Sequence, residues 1–329
     1  MKSALITGIS GQDGSYLAEY LLDLGYQVWG LVRREPLSMR WIEPIRARIE
    51  IVYGDLRDAE SIAVAFQKAW PDEVYNLAGQ VFVPTSWEAP AETFDINVGG
   101  LVRILQIVDR TKRDTRVYQA SSSEMMGNWD GFCDEQTPLR PTSPYGTSKM
   151  AAHRLMEVYR QRGLFAVGGI LFNHESPRRG PEMVTRKISR AAARWLLGDR
   201  VKLQLGNLHA RRDWGFAGDY IKAMHAMLQT AEPKDYVIGT GVSHSVSDFL
   251  EAIMAAMAEI GPRENAPRNV DEWVELNPQF LRTGEIHDLR ADARLARSEL
   301  NWRPKVEFHQ LVRMMLESDL NISRQSQGH

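Results

Sequence analysis

Short apolar runs alternate with longer stretches of helical period through the first half of the chain, the pattern of repeated β-α units around a parallel sheet. The runs predict strands at Ser3–Thr7, Gln27–Val32, Arg48–Tyr53, Glu73–Leu77, Val117–Ala120 and Ala166–Phe172. Helices are predicted between them over Tyr16–Leu24, Ala59–Trp70, Thr93–Arg110 and Tyr145–Arg162. In the third, Ile96, Leu101, Ile104, Leu105 and Val108 fall on one face. The expected architecture is an α/β fold with a Rossmann-like doubly wound parallel sheet, its two faces covered by these helices.

After about residue 173 the texture changes to arginine-rich loops marked by Pro177, Pro181 and Pro233. Helices are expected at Val184–Leu197, Asp219–Gln229 and Val246–Ile260, and short strands at Val201–Leu205, Tyr236–Ile238 and Trp273–Leu276. The expected organisation is a core over residues 1–172 and a smaller α/β lobe over 173–322 that interleaves with it. A polar, frayed tail is expected over 323–329.

Composition narrows the function classes. Of the 329 residues, 43% are apolar and 25% charged, so a sizeable core is possible. The 40 basic and 42 acidic side chains leave a net charge of −2, which makes no case for nucleic acid or an acidic membrane, and any anion site must be local. Cys133 is the single cysteine and no Cys/His cluster has zinc-ligand spacing, so neither a disulfide nor a metal is expected. With no signal-peptide pattern and no apolar run approaching 18 residues, a cytoplasmic protein is expected.

Gly8-Ile9-Ser10-Gly11-Gln12-Asp13-Gly14 joins the first strand to the first helix with GxxGxxG spacing. Glycines there permit a tight turn and close approach of a pyrophosphate to a helix N-terminus. An ordinary glycine-rich turn has the same residues; the position at the head of a β-α-β pattern favours the dinucleotide reading. The second strand ends in Val32-Arg33-Arg34 instead of the acid that binds ribose hydroxyls in NAD sites, which favours NADP, with Arg33 on its 2′-phosphate. Asp55-Leu56 after the third strand and Leu77-Ala78-Gly79-Gln80 after the fourth stand at strand ends where such ligands bind, Asp55 within reach of an adenine amine.

Tyr145 and Lys149 are spaced one turn apart at a helix start, where the ammonium would depress the phenol's pKa and let it accept a hydroxyl proton. Upstream, Ser121-Ser122-Ser123-Glu124 follows the fifth strand. Glycine loop, serine cluster and YxxxK in this order resemble the extended short-chain dehydrogenase/reductase family over essentially the whole chain. Glu124 adds a carboxylate suited to removing a C5 proton from a hexose once C4 is a ketone. Together with Asn173-His174-Glu175-Ser176-Pro177-Arg178-Arg179-Gly180 and Arg212-Asp213-Trp214-Gly215, it points to the branch of that family that dehydrates GDP-linked sugars.

The resemblance implies that Ser122, Glu124, Tyr145 and Lys149 are catalytic. It implies that Gly8, Ser10, Gly11, Gln12, Asp13, Gly14, Arg33, Asp55, Leu56, Leu77, Ala78, Gln80, His174 and Arg179 join the catalytic pair in holding NADP. Ser123, Asn173, Val184, Lys187, Gly206, Arg212, Arg282 and Glu285 would bind the GDP-sugar. A homodimer through the helices starting near Thr93 and Tyr145 is implied. A tetramer is in question because the segment from Arg34 to Arg48 lacks the serine-rich loop of related dehydratases. Met126 stands where an aromatic is usual, leaving room for a related substrate such as a GDP-linked manno-heptose. The competing readings are a nucleotide-sugar epimerase or reductase and a non-catalytic NADP-binding module.

Overall fold

The computed structural model describes residues 1–34, 39–262, 265–281 and 284–327. Seven strands form the central sheet: β1 (Ser3–Thr7), β2 (Gln27–Val32), β3 (Glu50–Tyr53), β4 (Glu73–Asn76), β5 (Arg116–Ser122), β6 (Ala166–Leu171) and β7 (Tyr236–Ile238). They are all parallel, in the order β3-β2-β1-β4-β5-β6-β7. The order reverses between β2-β1 and β1-β4, which opens a crevice at the carboxyl ends of β1 and β4.

The sheet's two faces are covered by different helices. Leu5, Leu31, Val74, Val117 and Ala166 pack against α2 (Ala59–Ala69), α3 (Gly100–Thr111) and α4 (Pro144–Gln161). Ile6, Tyr75, Tyr118 and Val167 pack against α1 (Gln12–Asp23) and α6 (Ala217–Met227), with Ala296 and Trp302 closing that core. A separate apolar core joins α5 (Val184–Leu196), α7 (Val246–Ile260) and α8 (Phe308–Gln327) around Trp214 and Trp273. Three of the helices start on side-chain caps: Asp58 accepts the Glu60 N–H at α2, Ser143 the Gly146 N–H at α4, and Ser245 and Asp248 form a capping box at α7.

Several elements differ from the sequence pattern. Helix α1 begins at Gln12 instead of Tyr16, because the glycine loop is tighter than the apolar period suggests. β5 runs on to Ser122, so two of the clustered serines are in the strand. The helix read over Thr93–Arg110 is three pieces, Pro90–Phe94, a π-helical turn Asp95–Gly99 and α3. Tyr236–Ile238 belongs to the main sheet, paired with Gly169–Leu171, instead of the smaller lobe. Trp273 ends a short helix (Val270–Trp273), and only Val274–Leu276 is extended, paired with Leu203–Leu205. The polar segment from Ser323 continues α8 to Gln327, and α8 itself had no counterpart in the sequence reading.

Candidate active site

A buried polar row crosses the carboxyl ends of the central strands. Thr7 Oγ1 donates to Asn76 Oδ1 (2.7 Å) and accepts the N–H groups of Leu77 and Ala78, while Asn76 Nδ2 donates to Gln119 Oε1 (2.6 Å). This row fixes the loop after β4 against the turn that follows β1. Gly8 takes φ +71°, and a Cβ there would lie 2.9 Å from Ala78 N; a Cβ on Gly14 would lie 2.3 Å from Gly8 O. Gly8 and Gly14 therefore let the turn, the loop after β4 and the start of α1 pack at backbone contact. Gly11 offers no side-chain cap to α1, so the helix presents first-turn N–H groups toward an anion.

Arg33 is exposed just beyond β2. Asp55 is held by Arg57, which donates from Nε to Oδ1 (3.0 Å) and from Nη2 to Oδ2 (2.9 Å); Leu56 beside it is buried. Gln80 donates its side chain to Phe82 O (2.7 Å) and its N–H to Asn97 Oδ1 (2.9 Å).

A cavity of about 840 Å³ opens at the carboxyl ends of β4, β5 and β6. Asp13, Leu77, Ser122, Ser123, Glu124, Tyr145, Lys149, Asn173, His174, Arg179, Val184, Lys187, Gly206, Arg212 and Glu285, all singled out in the sequence, line it. Residues drawn from seven separate stretches of the chain thus meet in one place.

Tyr145 and Lys149 sit on the first turns of α4, 8% and 4% exposed. Lys149 Nζ donates to Ala120 O at 2.9 Å and lies 5.8 Å from the Tyr145 ring centroid. Burial pushes the phenol up to about 12, although a hydrogen bond with Ser122 pulls the other way, and it brings the ammonium down to about 8. The expected lowering of the phenol by the ammonium is therefore corrected: desolvation dominates, and Lys149 is turned toward the backbone of β5. Ser122 ends that strand and its Oγ accepts the Glu124 N–H (3.3 Å), which places Glu124 on a single 3-10 turn, Ser123–Met125, at the cavity wall.

His174 has both ring nitrogens engaged, Nδ1 with Phe172 O (2.7 Å) and Nε2 with Asp13 Oδ2 (2.8 Å), and its ring stacks on Tyr220. Burial opposes its charge, but the charge and hydrogen bond of Asp13 outweigh burial and hold the imidazole above its ordinary value. Asp13 is correspondingly held below the usual carboxylate value, its own burial overcome by His174. Gln12 bonds His174 O and Ser176 Oγ, and Arg178 reaches Ser15 and the Glu19 carboxylate while stacking on Tyr16. Loop 173–180 is thereby latched onto α1, a role for His174 beyond lining the cavity. Arg179 Nε stands 3.0 Å from Glu175 Oε2.

On the far wall, Arg212 Nη1 donates to Arg211 O (2.8 Å) and Ile286 O (2.7 Å), with Nη2 3.9 Å from Glu124 Oε1. Glu285 Oε2 accepts from Asn207 Nδ2 (3.0 Å), and Lys187 Nζ stands 5.5 Å from the Phe280 ring centroid. Arg282 lies outside the described residues. Sequence reading missed two supports: Ser86, whose Oγ accepts the Tyr145 N–H (3.1 Å), and Asn97, which bonds Gln80 and Ser148 from the π-helical turn. It also missed the wall made by Phe82, Pro84, Trp87 and Glu88. The Phe82-Val83-Pro84 start of that short helix was the available sign.

A family model described as GDP-mannose 4,6 dehydratase matches residues 5–315. The chain is 45% identical over 337 residues to GDP-mannose 4,6 dehydratase 1 of Arabidopsis thaliana, covering 98% of this chain and 91% of the relative. It is 41% identical to the Vibrio cholerae (El Tor) GDP-mannose 4,6-dehydratase, covering 100% and 95%. Among solved structures, a Thermus thermophilus UDP-glucose 4-epimerase in complex with NAD superposes with a TM-score of 0.83 at 27% identity, over 97% of this chain and 99% of that one.

Proposed function

The chain belongs to the GDP-mannose 4,6-dehydratase family, and on that premise we propose that it is an NADP-dependent lyase converting GDP-mannose to GDP-4-keto-6-deoxymannose. The observation that carries this reading is the meeting of Tyr145, Lys149, Ser122 and Glu124 in one cavity. An epimerase or reductase needs a hydroxyl proton acceptor there, but has no use for a carboxylate beside it. A non-catalytic module would not bury an ammonium and a phenol side by side.

The glycine loop Gly8, Gly11 and Gly14, where a Cβ on Gly14 would strike Gly8 O, fits the close approach of a dinucleotide pyrophosphate. Ser10, Gln12 and Asp13 would complete that grip, Asp55 and Leu56 would hold the adenine end, and Leu77, Ala78 and Gln80 the ribose beyond it. Arg33 supplies the charge that suits a 2′-phosphate. Held there, NADP would supply reversible hydride chemistry between C4 and C6.

The remaining work falls to side chains. Tyr145 Oη takes the C4 hydroxyl proton, the hydrogen bond with Ser122 biasing the phenol toward the charged form against its burial. Oxidation acidifies C5–H; Glu124 removes that proton and, with Ser122, passes it to the C6 hydroxyl, which leaves as water, and the proton held by Tyr145 balances the one C5 regains when the hydride reaches C6. Arg212, Lys187 and Arg282 are assigned to the diphosphate, and Glu285 to the ribose or base, with Ser123, Asn173, Val184 and Gly206 shaping the rest of the site. His174 and Arg179 are assigned to the cofactor side of the cavity. A homodimer through α3 and α4 is the proposed assembly, tested by light scattering in solution. A reducing cytoplasmic setting suits the single cysteine, buried and with its thiol pushed by burial up to about 11. Among the described residues no helix is long and apolar enough to cross a membrane.

Incubation with GDP-mannose and measurement of the alkali-induced absorbance of a 4-keto product tests the activity. Absence of product from both GDP-mannose and GDP-manno-heptose would overturn it. Glu124→Gln should lower turnover by about 10²–10⁴-fold while the enzyme still reduces bound NADP on adding substrate; an epimerase or reductase would keep most of its turnover.

A further inference from the structure

A second constellation lies behind the catalytic serines. Helix α4 carries Tyr145, Lys149, His153 and Glu157 at four-residue spacing, so one stripe runs from the active site toward the opposite end of the helix. His153 is 4% exposed, and its Nδ1 stands 2.9 Å from Ser121 Oγ, one residue from Ser122. Its Nε2 points between Asp235 Oδ2 at 3.8 Å and Glu157 Oε1 at 3.9 Å, both beyond hydrogen-bond distance. The three ligand atoms lie within 4.8 Å of one another.

The surroundings aim each group. Asp235 Oδ1 accepts the Gly168 N–H (2.6 Å) and pairs with Arg160, which leaves Oδ2 as the oxygen turned to the imidazole. Glu157 is 31% exposed and paired with the exposed Arg154, so it can move and leaves a path from solvent.

We propose that His153 Nε2, Asp235 Oδ2 and Glu157 Oε1 form a binding site for one divalent transition-metal ion of the zinc class, with a fourth position left to water. Bonds of about 2.0–2.2 Å in a tetrahedron place ligands about 3.4 Å apart, so each His–carboxylate gap needs to close by roughly half an ångström and the two carboxylates by up to about 1.4 Å, a movement left to the exposed Glu157. One imidazole with two carboxylates, both already partly neutralised by Arg154 and Arg160, disfavours magnesium and calcium, which take all-oxygen sites of higher negative charge. Ligation through Nε2 leaves Nδ1–H to donate to Ser121 Oγ, the usual second hydrogen bond of a metal-bound histidine. The ion would thereby fix one tautomer directly behind the catalytic strand end. Sequence spacing gives no sign of this site because its third ligand comes from the segment leading into β7.

The test titrates untagged, chelator-treated full-length protein with Co²⁺ and records the visible spectrum. One equivalent should give absorption bands of tetrahedral intensity, which one equivalent of Zn²⁺ removes and excess Mg²⁺ does not. Glu157→Gln, on an accessible helical turn, and His153→Gln should each weaken Co²⁺ and Zn²⁺ binding at least tenfold. No band in the parent protein, a band undiminished in Glu157→Gln, or displacement by Mg²⁺ would overturn the assignment.

Discussion

Burial brings the Lys149 ammonium down to about 8 from an ordinary value of 10.5. Between those two values the unfolded chain binds more protons than the folded one, so stability rises with pH across that window. Below pH 8 the protein carries the full cost of a buried ammonium, offset in part by the bond to Ala120 O. Lys149→Met should flatten that part of the stability profile, measured as the difference between denaturant unfolding curves of variant and parent at pH 7.5 to 10. An unchanged slope would mean that the ammonium is solvated. That Tyr145, Lys149, Ser122 and Glu124 share one cavity was legible, because a one-turn spacing on a helix and a strand-end serine run survive any packing. The direction of the Tyr145 shift was not, since desolvation depends on what the rest of the chain lays over the phenol. Asn97 was hidden for a related reason: a π-helical turn inside an apolar helical period leaves the period almost intact.

Elements meet at the site through close backbone approaches. A Cβ on Gly146 would lie 2.7 Å from Glu124 O and 3.0 Å from Pro141 Cβ, so only glycine lets α4 press against the turn that carries Glu124. Gly146→Ala should lower kcat at least tenfold with little change in NADP affinity, measured by steady-state kinetics beside fluorescence titration of the cofactor. The latch between α1 and loop 173–180 gives a pH signature instead. His174 is raised by Asp13, so its contribution to stability is complete below about pH 6.5 and is lost as pH rises through its folded value. In Asp13→Asn the imidazole should titrate lower than in the parent, read from histidine ring resonances. Repeated β-α order and most helix positions were readable from period alone. The place of Tyr236–Ile238 was not: three apolar residues form an equally good strand in either lobe, and only pairing with β6 decides.

The chain leaves the sheet after β6, re-enters it once at β7 and comes back to its face at Ala296 and Trp302, which ties the two halves together. Helix α6 and β7 cover Tyr75, Tyr118 and Val167, and Ala296 and Trp302 close the same core. The second core is anchored by a buried pair, Arg186 Nη2 to Asp319 Oδ1 at 2.7 Å, with Ser189 Oγ donating to Asp319 Oδ2 at 2.6 Å; the two ionic side chains are 4% and 2% exposed. Removing the carboxylate leaves a guanidinium buried between α5 and α8, which costs about 3–5 kcal/mol. Asp319→Ala should therefore lower the melting temperature by several degrees, although Asp319 stands far along the chain from the catalytic strands. The form of the transition carries the argument about organisation. Segments of the second half lie on the face of the sheet that holds the glycine loop, so calorimetry should show one transition that moves as a whole. Two transitions, with only the upper one responding to NADP, would instead mean that α5, α7 and α8 unfold independently of the sheet.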